Sequence, residues 1–219
     1  LKTHYPKEFF AASMSLELGN QNKLSEFYEE LKRLNIKVQR PCINSCFAEF
    51  KSTKDFFYYA LGAIKNVGFN AINEIVKERE INGKFKSLDN FINRINPKNI
   101  NKLQLEGLVK AGVFDSLESN RKGFHDAIPN IILSTKSVFD NKINNQINLF
   151  DENNQSKKSF IPNNAEDWSF EDRLSKEFES IGFFISDHPI NQYKVVFDIY
   201  KIQNYNSFIN STQNEANLE

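Results

Sequence analysis

Apolar residues recur at three- and four-residue steps along most of this chain, the spacing of one buried helical face. The pattern predicts a helix over residues 5–18, with Pro6 accommodated in its first turn. Leu24, Phe27, Leu31 and Leu34 give a second amphipathic helix, punctuated by Asn35 and Pro41. Two short aromatic runs, 45–50 and 55–60, flank the polar Lys51-Ser52-Thr53-Lys54. They predict a small β-hairpin, although Phe56-Phe57-Tyr58-Tyr59 does not alternate. An apolar turn over 61–64 then leads through the tight polar link Lys65-Asn66-Val67-Gly68 into a helix carrying Ala71, Ile72, Ile75 and Val76. Asn82-Gly83 breaks that helix. Ser87 and Asn90 open a short one with Leu88, Phe91 and Ile92, and Asn96-Pro97 stops it. The next helix holds Ile100, Leu103, Leu105 and Leu108 and ends at Gly112, placed as a C-terminal cap. Another runs from near Asn120 to Ile132, disturbed at Pro129.

The periodicity is lost over 134–166, where Ser, Asn, Lys, Asp and Gln dominate and too little apolar surface is available for a core. Trp168, Phe170, Leu174, Phe178 and Ile181 restore helical spacing, and Gly182 ends it. Phe183-Phe184-Ile185 suggests a short strand, Asp187-His188-Pro189 a turn, and 190–199 a last helix, with fraying from 204 onward. The division expected is 1–60 with the β-hairpin, 61–133 as a compact set of short helices, 134–166 as a polar loop, and 167–219 as a further helical segment.

The stretch 61–79 has the form of a helix-hairpin-helix. Gly68 is expected to let the backbone turn sharply, and the amides that open the following helix lack internal partners and carry partial positive charge. A nucleic-acid phosphate suits such a site. The candidate residues are Lys65, Asn66, Val67, Gly68, Phe69 and Asn70, with Lys65 adding a charge beside the amides. Lys110, Ala111, Gly112 and Val113 form a weaker second hairpin, equally readable as a helix-capping turn. Lys98, Lys102, Lys110, Arg121 and Lys122 either extend a basic face or are ordinary solvated side chains.

Composition narrows the chemistry. The 219 residues include 40% hydrophobic residues and 21 Phe, enough for a core, and 28 basic residues balance 28 acidic ones. A basic coat over the whole molecule is excluded, so any phosphate binding is local. Cys42 and Cys46 are too few for a disulfide scaffold and lack companion ligands for a metal site, so free thiols in a reducing cytoplasm are expected. No catalytic constellation is visible. Asp187 with His188 reads as a turn and cap, and Glu29, Glu30, Glu177 and Glu179 as exposed helix faces. No stretch approaches a membrane span. The start at Leu1, without an initiator Met or signal peptide, reads as a piece of a longer protein.

Five motifs in one order resemble a known family: LKTHYPKEF (1–9), PCINSC (41–46), LGAIKNVG (61–68), LVKAGVFDSL (108–117) and SDHPINQY (186–193). Together they are similar to the α subunit of bacterial replicative DNA polymerase III, over roughly residues 1–200. The matching region is the end of the fingers, the tandem helix-hairpin-helix domain and the approach to an OB-fold domain. Cys42, Cys46 and Phe69 depart from the residues usual at their positions. The resemblance implies a mainly α fold with flanking helices and the small β-hairpin. It implies a parent DNA-directed DNA polymerase whose magnesium-binding palm carboxylates precede this region, so the segment itself has no catalytic residue and no cofactor. It also implies duplex DNA, the sliding clamp and the other polymerase III holoenzyme subunits as partners. Gln146, Ile147, Asn148, Leu149 and Phe150 are similar to the family's clamp-binding peptide, Leu149 and Phe150 serving as apolar anchors in a linear motif. The competing readings are the helix-hairpin-helix module of a DNA-repair glycosylase or nuclease, and a purely structural helical domain. Against the glycosylase, Asp89 lies early in a short helix and Phe69 takes the place of the lysine such enzymes carry.

Overall fold

Pro6 opens α1 (Pro6–Leu16), where its missing N–H removes no helical bond, and Phe10, Ala11 and Met14 face inward. α2 (Gln21–Arg33) starts at Asn20, whose side chain accepts the Lys23 amide, and buries Leu24, Tyr28 and Leu31 against α1. A computed structural model describes residues 1–143, 160–161, 165–203 and 208–209. Among them lie eight α-helices and one small sheet. They cluster as one compact unit, Leu1–Ser186, and a second, Asp187–Glu219. The core of the first unit runs without a break from Phe10 through Phe57 and Leu61 to Ile128, across the division expected at residue 60.

The sheet has the order β1-β3-β2, formed by β1 (Val38–Gln39), β2 (Lys51–Ser52) and β3 (Phe57–Tyr58). β2 and β3 are antiparallel, whereas β1 lies parallel to β3. The expected hairpin therefore exists, but its first strand falls on Lys51 and Ser52, residues assigned to the turn. The true turn is closed by Thr53, whose N–H and hydroxyl donate to the Phe56 carbonyl at 2.8 and 3.3 Å. The run 45–50 is apolar for another reason: Cys46, Ala48 and Phe50 plug the core from irregular backbone.

The helical part follows as α3 (Phe69–Asn82), α4 (Leu88–Arg94), a 3-10 turn (Pro97–Asn99), α5 (Lys102–Lys110) and α6 (Arg121–Ile143). Phe85, Phe91, Phe114 and Phe124 form a chain of ring contacts, centroids 4.9–5.1 Å apart, that ties α4 to α6. α6 overturns one expectation. With Pro129 inside it, as the sequence predicts, the helix continues ten residues beyond Leu133 into the stretch read as a loop. Its buried face explains this: Ala127, Ile128, Ile131 and Thr135 all point inward, and the Thr135 hydroxyl donates to the Ile131 carbonyl at 2.8 Å. Packing outweighs the local signal of a polar composition.

α7 (Phe170–Ile181) begins at Ser169, whose hydroxyl accepts the Asp172 amide, and so starts after Trp168. The strand expected at 183–185 does not form. The amides of Ile185 and Ser186 instead donate to the Glu177 carboxylate at 2.7 and 2.8 Å. Glu177 is accordingly 2% exposed, which corrects its reading as part of a solvated face. In the second unit His188 caps a 3-10 turn (Pro189–Tyr193), its Nδ1 accepting the Ile190 amide, as the turn-and-cap reading expected. α8 (Lys194–Ile199) follows, so the last helix comes in two pieces.

Candidate nucleic-acid interface

The first hairpin is built from a 3-10 turn (Leu61–Ala63), the link 64–68 and α3. Leu61, Ala63, Ile64 and Val67 are buried and fix the loop from beneath, whereas Lys65, Asn66, Gly68, Phe69 and Asn70 are exposed. The sharp turn is made at Asn66, with φ +64°. Asparagine tolerates this left-handed conformation better than most residues. Gly68, with φ −78° and ψ 130°, is ordinary extended backbone. The expectation that Gly68 supplies the turn is therefore corrected by two positions: the turn residue is Asn66.

What Gly68 does supply is an N-cap without a side chain. α2, α4, α5 and α7 start at Asn20, Ser87, Asn101 and Ser169, each of which accepts one of its own helix's amides. Asn120 does the same for Gly123 in the first turn of α6. α3 has no such side-chain cap. The first amide of α3 with an internal partner is that of Ile72, which donates to the Gly68 carbonyl at 3.2 Å. The amides of Asn66, Gly68, Phe69, Asn70 and Ala71 have no acceptor among the described residues. Two of the six candidate residues contribute no free amide: Lys65 donates to the Ser180 carbonyl at 2.9 Å and Val67 to the Ile64 carbonyl at 3.1 Å. Lys65 is left to act through its exposed ammonium.

The loop is held from the side as well. A Cβ on Gly107 of α5 would stand 2.7 Å from the Lys65 carbonyl oxygen, so only glycine lets α5 lie this close to the hairpin. The Gln104 side chain, which completes the capping box of α5 with Asn101, lies beside Gly68. The first turns of α3 and α5 thus adjoin, with Lys98 and Lys102 exposed next to them. Over 61–133 there are eleven basic and eight acidic residues, a modest local excess in a chain that is neutral overall.

The second hairpin is different. Gly112, with φ +73°, is the turn residue of a Schellman cap on α5: its N–H donates to Val109 and that of Val113 to Leu108, both at 3.0 Å. Ala111 donates to Gly107, and Ala111, Gly112 and Val113 are buried. Arg121 fills the loop. Its guanidinium donates to Asp115 through Nε at 2.8 Å and Nη2 at 2.6 Å, and to the Lys110 carbonyl at 3.3 Å. The Lys110 ammonium is paired with Glu179 at 2.7 Å. Of the two readings given to this turn, the structure supports the helix cap. Lys110 and Arg121, offered as a basic face, are internal ion pairs.

The motif at 41–46 has a structural role that its residue types alone did not disclose. The loop 41–46 is stitched to the helical part by Ile43, whose amide donates to Val113 at 2.8 Å, and by Asn44, which exchanges two hydrogen bonds with the backbone of Phe85. Arg79, 7% exposed on α3, donates through Nη1 to the carbonyls of Ile43 and Cys46, both at 2.7 Å, with its guanidinium against the Phe47 ring. Cys46 is buried and Cys42 half-buried, both as free thiols, and burial pushes the Cys46 thiol up to about 11. Among the described residues no group of three or more His, Cys, Asp or Glu is gathered to hold a metal ion. Gln146, Ile147, Asn148, Leu149 and Phe150 lie outside the described residues.

Comparison with known proteins identifies relatives of this segment. The family described as Helix-hairpin-helix motif matches residues 35–124, which takes in the 41–46 loop as well as both hairpins. Proteins named DNA polymerase III subunit alpha match across nearly the whole chain. That of Borreliella burgdorferi is 37% identical over 207 residues, covering 93% of this chain and 18% of the relative. Those of Campylobacter jejuni and Caulobacter vibrioides are 34% and 35% identical, covering 88% and 87% of this chain and 16% of each relative. The chain corresponds to a segment of the DNA polymerase III α-subunit family. It spans less than a fifth of the length of these relatives. No helix among the described residues is long and apolar enough to cross a membrane.

Proposed function

We propose that this segment holds duplex DNA for a polymerase III α subunit by its sugar-phosphate backbone. The observation that carries the reading is the uncapped start of α3, where the amides of Gly68, Phe69, Asn70 and Ala71 have no internal acceptor among the described residues and Lys65, three residues before Gly68, is exposed. A phosphate oxygen there receives charge-assisted hydrogen bonds, each worth roughly 1.5–3 kcal/mol. Contacts of this kind set the register of a duplex and read no base, which suits copying of any template. Each phosphate neutralised contributes about 0.9 to the salt slope, so affinity falls roughly three- to fourfold per phosphate between about 50 and 200 mM salt. The parent protein would be a DNA-directed DNA polymerase of the cytoplasm, its magnesium held by carboxylates outside this segment. Gln146, Ile147, Asn148, Leu149 and Phe150 would tether it to the sliding clamp, and other holoenzyme subunits would complete the assembly.

Gly68→Asp tests the grip. An aspartate at this N-cap accepts the α3 amides itself, so the helix holds or gains a few tenths of a kcal/mol while the phosphate site is occupied. Duplex affinity is expected to fall at least tenfold with the melting temperature maintained. The uncharged Gly68→Ser should show a smaller loss of the same kind. Wild-type affinity in both variants at low salt would overturn the proposal.

A further inference from the structure

Apart from the hairpin, the first unit carries a second open feature with its own chemistry. A groove of about 510 Å3 runs along β1, within the size range of clefts that take specific ligands. Its floor is apolar, formed by Tyr28, Ile36, Val38 and Ile185. Its rim is cationic: Lys32, Lys37 and Arg40 line it, and among the described residues that line it there is no carboxylate. Lys32 is paired with Glu29 on its own helix. Lys37 and Arg40 make no ion pair among the described residues, and Arg40 is steadied by donating to the Ser186 carbonyl at 2.6 Å. β1 is an edge of its sheet, with β3 on one side and, among the described residues, no strand on the other.

The geometry points to a docking site for an extended acidic peptide that pairs with β1. Three features select this occupant. A rim whose Lys37 and Arg40 make no ion pair among the described residues, in a chain of zero formal charge, is complementary to Asp or Glu. Alternate side chains of an extended strand point the same way, so aliphatic residues reach the floor while acidic ones meet the rim. An open strand edge accepts main-chain hydrogen bonds from an added strand. A single nucleic-acid strand shares the negative charge, but it needs aromatic platforms for its bases. Among the described residues of the lining the one aromatic is Tyr28, 6% exposed, with one neighbour in the Phe183 ring at 4.8 Å and another in the Lys32 ammonium at 4.6 Å.

The test uses the whole chain and a dye-labelled peptide of sequence Ser-Asp-Val-Glu-Val-Asp-Val-Ser, followed by fluorescence anisotropy at low salt. Saturable binding is expected. It should weaken at least tenfold when Asn and Gln replace the acids, and comparably when the amides facing β1 are N-methylated. Lys37→Glu, an exposed change that breaks no contact, should also weaken it at least tenfold. Absence of saturation, or equal affinity for the amide-substituted peptide or for the Lys37→Glu chain, overturns the proposal. So does displacement of the peptide by a twelve-residue oligothymidylate that binds the same groove more tightly.

Discussion

Gly112→Ala separates the two hairpins by their physics. The backbone at this position has φ +73°, and an L-residue in the left-handed region costs about 1–2 kcal/mol. The new Cβ would lie 2.0 Å from Arg121 Nη2 and 2.9 Å from Asp115 Oδ2, so the guanidinium must leave the loop it fills. Asp115 is 41% exposed, which screens the pair. Its loss is therefore set at about 1–2 kcal/mol, below the 3–5 kcal/mol of a fully buried ion pair. Together the terms give roughly 2–4 kcal/mol. For a chain of this size that corresponds to a fall in melting temperature of roughly 5–15 °C. Calorimetry measures the fall, and duplex binding well below the new transition measures the function. If the second turn is purely a helix cap, affinity and salt slope stay at the wild-type values once the protein is folded. A melting temperature unchanged within about a degree refutes the stability reasoning. A slope reduced by about one at full stability refutes the assignment of this turn to architecture.

Arg79→Met keeps the aliphatic stem but leaves the carbonyls of Ile43 and Cys46 buried without donors, and should destabilise the chain by about 2–4 kcal/mol in a denaturant titration. Tyr59→Phe removes a hydroxyl that is buried without a hydrogen-bond partner among the described residues, so its melting temperature should equal or exceed that of the wild type. Burial, with the Glu177 carboxylate adding to it, pushes the Tyr28 hydroxyl from 10.0 up to about 12. The folded state keeps Tyr28 neutral while the unfolded chain ionises, so its contribution is complete below pH 10 and lost as pH rises towards 12. Tyr28→Phe should flatten the alkaline limb of a stability-against-pH profile, and an unaltered limb would contradict the assignment. Leu149→Ala with Phe150→Ala is expected to abolish binding to the cognate sliding clamp in a calorimetric titration while leaving the melting temperature within about one degree.

Most of the helical order was legible because it rests on local rules. Ser87, Gly83 and Gly112 act where their chemistry places a helix start or stop, and the apolar steps of α2, α3 and α5 mark buried faces except at Leu34 and Leu103, which are exposed. The failures share one cause, the override of local signals by distant contacts. The polar residues after 133 do not end α6, because Ile131 and Thr135 are already committed to the core. Residues 45–50 look like a strand because they are apolar, yet they are apolar to fill the space beneath Arg79 and the sheet. Glu177 reads as surface until its acceptors are matched with amides eight and nine residues further on. At the candidate site, the pattern located the loop with the uncapped amides but misjudged which residue bends it. The left-handed turn at Asn66 and the missing cap at Gly68 are separate devices, and a glycine in sequence cannot say which one it serves.

The most direct measurement is an amide-resolved NMR titration of the whole chain with a short blunt DNA duplex of arbitrary sequence. The account predicts that the amides of Asn66, Gly68, Phe69, Asn70 and Ala71 shift together and saturate at one affinity for any duplex, while those of Lys65, Val67, Gly112 and Val113, already engaged inside the protein, move little. Saturable binding that leaves residues 66–71 unperturbed and shifts another surface would contradict it.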